Sequence, residues 1–348
     1  MSIVRMFSFF KGESNMKALR IEKPGFARII EIEKPVLEDP EDVILRIEGC
    51  GICGTDLHIF KGLEFAKYPV VPGHEFVGEI VELGEKAGQK FSIGERIIGD
   101  PNLSCFQCEN CRKGLINMCT GGMINQGVNI NGAFAEFTKV NMKQCYKISK
   151  DVPVSVAVLG EPLSCILHAL SKVKIGVVNS VLIIGGGSIG VIIYKLLGNI
   201  QKLRSVDIVE INESRIQAAK RAGVDRIYKA IPKYSAYDYC FEASGSQKAF
   251  EEGIKSLKAM GTLIQFGVAD EDARAGVPMY DIYRKELNII GSFVNPFTMG
   301  QAVEFLEHYK SIFNEIVGKS FSLEKAKKVL EGEINIKNYL KTMVTFEQ

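Results

Sequence analysis

The sequence predicts an α/β protein in two parts, a β-rich one followed by a doubly wound parallel sheet, and three observations carry that prediction. The chain has 348 residues, more than one hydrophobic core usually spans. From Met16 to about Lys150, short β-rich runs ("DVILRIEGCGI", "FVGEIVELG", "ERIIGD", "GAFAEFTKV") are separated by Gly and Pro turns and show little helical periodicity. From about 161 to 295 strands alternate with helices: "SVLIIGG", a helix, "SVDIVEI", the helix "ESRIQAAKRAG", "YDYCFEA", the helix "QKAFEEGIKSLKAMG" and "TLIQFGV". That alternation is the pattern of a parallel sheet covered by helices on both faces. The expected divisions are 1–160, 161–295 and 296–348, the last read as a helical tail without a motif.

Composition excludes several partners. Lys plus Arg number 43 against 41 for Asp plus Glu, so the chain lacks the basic excess that nucleic acid or an anionic membrane demands. The apolar run in "MSIVRMFSFFKGESN" is too short for a signal-peptide core and reads as a loose extension. The most apolar window, "SVLIIGGGSIGVIIYKLLG", approaches a membrane span in length, but its glycine cluster and Lys195 predict a strand, a turn and a buried helix instead. A cytoplasmic location is expected, where clustered cysteines bind metal more often than they form disulfides.

Cys105, Cys108, Cys111 and Cys119 form such a cluster, spaced C-x2-C-x2-C-x7-C. Four thiolates within reach of one ion suit a closed, structural zinc site. Bacterial ferredoxins also begin C-x2-C-x2-C, but they continue x3-C-P. Here the fourth cysteine stands seven residues on and precedes Thr120. A closed tetrathiolate leaves no position for substrate, so any chemistry must lie elsewhere. "GCGICGTDLHIF" and "VPGHEFVGE" offer Cys53, His74 and Glu75, and "GEPLSCILHAL" adds Glu161. Each alone passes for an ordinary core or turn residue. A mixed thiolate, imidazole and carboxylate set is the kind that leaves one zinc position open to water or substrate.

A third motif concerns a cofactor. "VLIIGGGSIG" places Gly185, Gly187 and Gly190 as G-x-G-x-x-G between an apolar strand and a helix, with Ile189 inside the motif. The first glycine permits the tight turn, the second lets backbone approach a pyrophosphate, and the third lets the helix pack on the strand. The next strand, "SVDIVE", ends in Glu210, about 20 residues on, where a carboxylate accepts from ribose hydroxyls and repels a 2′-phosphate. NAD is therefore expected rather than NADP.

In order, "CGICGTDLH", "GHEFVGEIVELGE", the four-cysteine stretch, "EPLS" and "GGGSIG" resemble the zinc-dependent medium-chain alcohol dehydrogenases over nearly the whole chain from Met16, and Glu75 with "EPLS" most resembles their polyol branch. The resemblance implies a GroES-like β-barrel catalytic domain bearing two zinc ions, a Rossmann domain binding NAD, and a last segment returning to the first domain. It implies Cys53, His74 and Glu75 as catalytic-zinc ligands, with Glu161 as a fourth ligand or as holder of a zinc-bound water. Thr55 and His58 match the positions of the proton relay, and Arg215 an arginine beside the adenosine. A homo-oligomer, dimer or tetramer, is implied, acting on a small secondary alcohol.

The substrate stays open between several readings. Sorbitol-type enzymes carry an Arg-Tyr pair where this chain has Val294 and Asn295 in "GSFVNPF", and a Tyr where it has Ile59. Asn295 resembles enzymes acting on galactitol or arabitol phosphates. "CGICGTDLHIF" and "GVNINGAFAEF" resemble L-threonine 3-dehydrogenase, and "EPL" is shared with butanediol dehydrogenases. His168 is expected to be a core or supporting histidine, and Cys50, Cys145, Cys165 and Cys240 buried hydrophobes. A non-catalytic redox sensor on the same fold is the alternative of another class.

Overall fold

The computed structural model describes residues 15–62, 66–201, 203 and 205–346; the first 14 residues of the expected N-terminal extension lie outside this range. Two sheets organise the chain. The first has seven strands in the order Val317–Phe321, Lys341–Val344, Asp42–Ile52, Glu75–Leu83, Arg96–Gly99 and Cys145–Lys147, with Phe137–Asn141 on the far half of Asp42–Ile52. Asp42–Ile52 holds the centre because nine of its eleven residues are buried. Such a strand must be covered on both faces. Its partners are antiparallel, and Thr342 lies opposite Ile52. This places Lys341 next to the loop that follows the strand.

The second sheet is wholly parallel, in the order Ile227–Tyr228, Ser205–Val209, Ser180–Ile184, Tyr237–Glu242, Leu257–Gln265, Asn288–Gly291. In chain order this is 3-2-1-4-5-6, and the order reverses between Ser180–Ile184 and Tyr237–Glu242. Doubly wound sheets bind ligands at that crevice, beyond the carboxyl ends of the strands. The apolar window 180–198 is indeed a strand and a buried helix, Ser180–Ile184 and Ser188–Lys195. The stretch Val154–Ser171 is also long and apolar, and 61% of it is buried inside the fold. Its helix, Gly160–Ser171, tolerates Pro162 because proline in the first turn displaces no intrahelical bond. It packs against the helix Met299–Phe313 in the core that backs the parallel sheet.

Two expectations need correction. The tail is not simply helical: Val317–Phe321 and Lys341–Val344 are strands of the first sheet. The predicted helix "QKAFEEGIKSLKAMG" stops at Ser256, and Leu257–Gln265 is one strand. Leu257 pairs with Tyr237 in the sheet, so tertiary pairing overrides the local helical pattern there.

Candidate metal centres and cofactor crevice

The four-cysteine stretch forms a small lobe whose base is the strand pair Asn102–Leu103 with Ile124–Asn125. One sulfur from each of Cys105, Cys108, Cys111 and Cys119 lies within 4.8 Å of the others. Cys105 and Cys111 sulfurs are 4.0 Å apart, as are those of Cys108 and Cys119. A disulfide needs about 2.05 Å, whereas four sulfurs about 2.3 Å from one tetrahedral ion stand about 3.8 Å apart. The donor set thus fits a zinc ion. Backbone amides prepare two of the thiolates, Cys105 and Cys108, whereas burial pushes the Cys111 thiol up to about 12. Gln107 and Cys108 N–H groups donate to the Cys105 sulfur at 3.5 and 3.3 Å, and that of Cys105 donates to Cys119 at 3.4 Å. The Cys105 thiol pKa is lowered by those amides, and Cys108 is lowered to about 5 by the Cys111 and Thr120 amides.

The mixed set is assembled differently. Cys53 caps the helix Gly54–Lys61, while Glu75 begins the strand Glu75–Leu83 and His74 directly precedes it. Ligand atoms of Cys53, His74 and Glu75 lie within 4.8 Å of one another. His74 and Glu75 are buried, yet His74 Nδ1 and Glu75 Oε2 have no hydrogen-bond partner. Orphaned buried polar atoms are costly and need an explanation. A cation among these donors supplies one for Glu75 Oε2, while His74 Nδ1 faces a buried carboxylate, that of Asp56. Gly51 makes the room: a Cβ there would stand 2.0 Å from Glu75 Oε2.

Two supporting residues were not legible in the sequence. Asp56, fully buried, accepts the Cys53 N–H at 2.8 Å and the Gly73 N–H at 3.2 Å, and its carboxylate stands 3.6 Å from His74 Nδ1. That separation is an ion-pair contact rather than a hydrogen bond. Carboxylates behind ligating histidines orient the ring. Lys341 donates to Glu75 Oε1 at 2.5 Å, with both side chains buried. Burial opposes charge on His74 and Lys341, but Asp56 and Cys53 outweigh it at His74 and Glu75 does so at Lys341, so both proton affinities rise. The surroundings of these residues demand positive charge.

Glu161 stands apart from the set of three. Its Oε1 accepts from the Cys165 thiol at 3.3 Å. Burial raises its pKa to about 7, with His74 pulling down and Glu75 pushing up, so it remains within electrostatic reach of the set. Thr55 Oγ1 lies 3.7 Å from the Cys53 sulfur. His58 follows three residues later on the same helix, a spacing that puts the two side chains on one face. His168 is half-buried on the Gly160–Ser171 helix, outside the gathered ligands.

At the crevice, Gly185 adopts φ +117°, and Gly190 packs so tightly that a Cβ would sit 1.9 Å from the Gly185 carbonyl oxygen. Only glycine fits either position. Gly187 caps the following helix with open space beside it, and Ile189 packs on the large core. Together these leave a backbone cradle at a helix N-terminus, the geometry that receives a pyrophosphate. Glu210, at the end of the second strand of the sheet, accepts the Gly186 N–H at 3.0 Å and the Asn212 N–H at 2.8 Å, and Arg215 Nη1 is 3.8 Å away.

Comparison with known proteins matches these features. The alcohol dehydrogenase GroES-like domain family matches residues 39–150, and the zinc-binding dehydrogenase family matches residues 187–308. The chain is 30% identical over 332 residues to D-arabinitol dehydrogenase 1 of Uromyces fabae, covering 91% of this chain and 94% of that one. It is 35% identical over 271 residues to L-threonine 3-dehydrogenase of Sinorhizobium fredii, covering 73% and 77%. A zinc-binding dehydrogenase from Sinorhizobium meliloti 1021, solved with NADP bound, superposes with a TM-score of 0.89 at 29% identity, covering 96% and 100%. The metal-fitting donor sets, the dinucleotide cradle and these matches together establish that the chain belongs to the zinc-dependent medium-chain alcohol dehydrogenases, as a zinc- and nicotinamide-dependent oxidoreductase with a GroES-like and a Rossmann part.

Proposed function

We propose that this chain oxidises a secondary alcohol, a polyol or polyol phosphate, to the ketone with NAD as the hydride acceptor, using two zinc ions per chain. The observation that carries the reading is the convergence of Cys53, His74 and Glu75 on one point, with Glu75 Oε2 buried and unpartnered. Cys53, His74 and Glu75 would hold the catalytic zinc, with Glu161 as fourth group, directly or through water; the four lobe cysteines would hold the structural one. When bound, the catalytic zinc supplies Lewis acidity to the alcohol oxygen and the nicotinamide supplies the hydride acceptor.

The chain's own residues do the rest. Lys341 holds one Glu75 oxygen and leaves the other free. Asp56 aligns His74. Thr55, beside Cys53, would accept the alcohol proton at Oγ1 as its own hydroxyl proton passes to the cofactor ribose, from which His58 would carry it to solvent. Gly185, Gly187 and Gly190 seat the pyrophosphate, Ile189 lines the cradle, Glu210 accepts from the ribose hydroxyls, and Arg215 flanks the adenosine. Both Glu210 oxygens accept backbone N–H groups, which holds the carboxylate where a 2′-phosphate would be repelled. The relative solved with NADP makes this the point to test: Glu210→Ser should raise kcat/KM for NADP and lower it for NAD, a relative shift of roughly 5- to 150-fold. A wild-type preference for NADP would overturn the NAD assignment.

The division of labour we propose follows the expected boundaries, 1–160 with 296–348 carrying both zincs and 161–295 carrying the cofactor. The exposed strand Asn288–Gly291 at the edge of the parallel sheet, near exposed Met279, Tyr280 and Tyr283, supports a homo-oligomer. Nine free thiols support a reducing, cytoplasmic compartment. Following NADH formation with polyols, polyol phosphates, L-threonine and 2,3-butanediol decides the substrate. L-threonine is the second reading, favoured by the 35% identity noted above. No turnover of any secondary alcohol would favour the redox-sensor alternative.

A further inference from the structure

The segment 293–298 links the last strand of the parallel sheet, Asn288–Gly291, to the helix Met299–Phe313. Two of its residues are not glycine yet stand in the left-handed region, Val294 at φ +45° and Phe297 at φ +59°. A β-branched residue there is a genuine outlier, and such backbone persists only where its surroundings hold it. The side chains that hold it come from the four-cysteine lobe and its base. Asn117, buried between Cys111 and Cys119, donates to the Phe293 carbonyl at 3.0 Å. Asn102, in the strand pair at the base, donates to Asn295 Oδ1 at 2.7 Å and is braced by Asn125 at 2.5 Å. Asn295 is 2% exposed, and its amide donates in turn to Asp100 at 3.2 Å.

The other end of the segment is tied to the helix Gly160–Ser171. The Thr298 hydroxyl donates to the Ser164 carbonyl at 2.7 Å, on the helix that carries Glu161 and Cys165. The Ser164 hydroxyl donates to the Glu161 carbonyl at 2.6 Å. A continuous set of hydrogen bonds therefore runs from the lobe through 293–298 to the first turn of the Glu161 helix.

We propose that the four-cysteine lobe anchors segment 293–298, and that Asn117, Asn102 and Asn295 are positioning residues that hold this wall of the alcohol site in its strained shape. The inference rests on the reading of the Cys53, His74 and Glu75 set as the alcohol site, and it gives the lobe a task beyond stability. A lobe that loses its metal releases the segment, and the wall relaxes while the mixed zinc set is untouched.

Asn117→Asp tests this most directly, because it keeps the shape while replacing the amide donor with a carboxylate oxygen that repels the Phe293 carbonyl. Hydrogen–deuterium exchange of the peptide spanning 291–299 should quicken about fivefold or more, with zinc content unchanged. The KM for the best alcohol of the substrate panel should rise severalfold, with kcat within about twofold. Cys119→Ser, which opens the lobe site, should quicken the same peptide while retaining one zinc per chain. Unchanged exchange in Asn117→Asp, or in a Cys119→Ser protein that has lost its lobe metal, would overturn the proposal. If Cys119→Ser kept both metals, the zinc reading of the lobe would fail and Asn117→Asp alone would decide. If no alcohol is turned over, the exchange measurement still decides whether the lobe holds the segment.

Discussion

The two metal-fitting regions of this molecule are built on opposite principles. The lobe draws four like ligands from one short stretch, keeps three of its cysteines partly exposed, and readies Cys105 with backbone amides from the same stretch. The Cys53, His74 and Glu75 set draws unlike ligands from a helix cap and a strand start, buries two of them, and needs a distant lysine and a buried aspartate to complete it. A closed thiolate site is local and self-sufficient. An open, mixed site is a product of the whole fold, because its charge and orientation come from elements far apart in the chain.

If that contrast is right, substitutions in the two regions separate chemistry from stability. The largest effect should follow His74→Ala: kcat/KM falls at least about 1,000-fold, roughly 4 kcal/mol of transition-state stabilisation, while the melting temperature moves little. Steady-state kinetics beside a thermal melt checks it, and residual activity within tenfold would break the comparison. Next, Cys108→Ser should lower the melting temperature by about 5 °C or more. The chemical step, read in single turnovers at saturating substrate and low temperature, should persist.

Lys341→Met sharpens the contrast further. It removes the counter-charge of Glu75, and loss of the catalytic zinc to a chelator should speed by about 10- to 100-fold. Lys341→Arg should restore most of the retention. Lobe zinc should be released at the wild-type rate in both, followed as a separate kinetic phase. Equal acceleration of the two phases would mean that Lys341 acts on the fold at large.

The smallest effect concerns Asp100, which lies at the junction of the two regions. Burial raises its pKa to about 6, against the amides of Asn102 and Asn295. The folded form therefore binds a proton more tightly than the unfolded chain, whose aspartate titrates near the ordinary 3.8. Its stabilising contribution is full below about pH 4 and is lost as pH rises through 6. Asp100→Asn, whose oxygen can accept the same bonds, removes that loss. The wild type should weaken relative to the variant by a few degrees of melting temperature between pH 4 and 7. Parallel melting curves for the two proteins across that range would refute it.

Much of this was legible in the sequence, for physical reasons that differ by residue. The lobe cysteines announce themselves because a local site must be spaced locally. The glycines at 185, 187 and 190 follow an apolar strand, and the structure places 185 and 190 where no side chain would fit and 187 at the helix cap with open space beside it. Lys341 was hidden for the opposite reason. Its strand, "KTMV", is short and half polar, which by patterning reads as surface, yet all four residues are buried. The lysine tolerates that burial only because Glu75 waits opposite, and nothing nearby in sequence says so. Asp56 stands within a quoted motif but carries no signal of its role, since a carboxylate that supports a ligand leaves no periodic mark. Glu161 was read for its chemistry, whereas its bond to Cys165 depends on the helical turn joining positions four apart.

The distance of Lys341 from its partner bears on how the protein is made. The pair is 266 residues apart, and the lysine's strand pairs with the central strand of the first sheet. On a ribosome the lobe can close over its ion as soon as residue 119 has emerged. The mixed set must wait, with Glu75 lacking its counter-charge, until residue 341 is free to insert. On the proposed two-zinc reading, the lobe's donor set is therefore complete early in the life of the nascent chain, and the mixed set only among the last events of maturation.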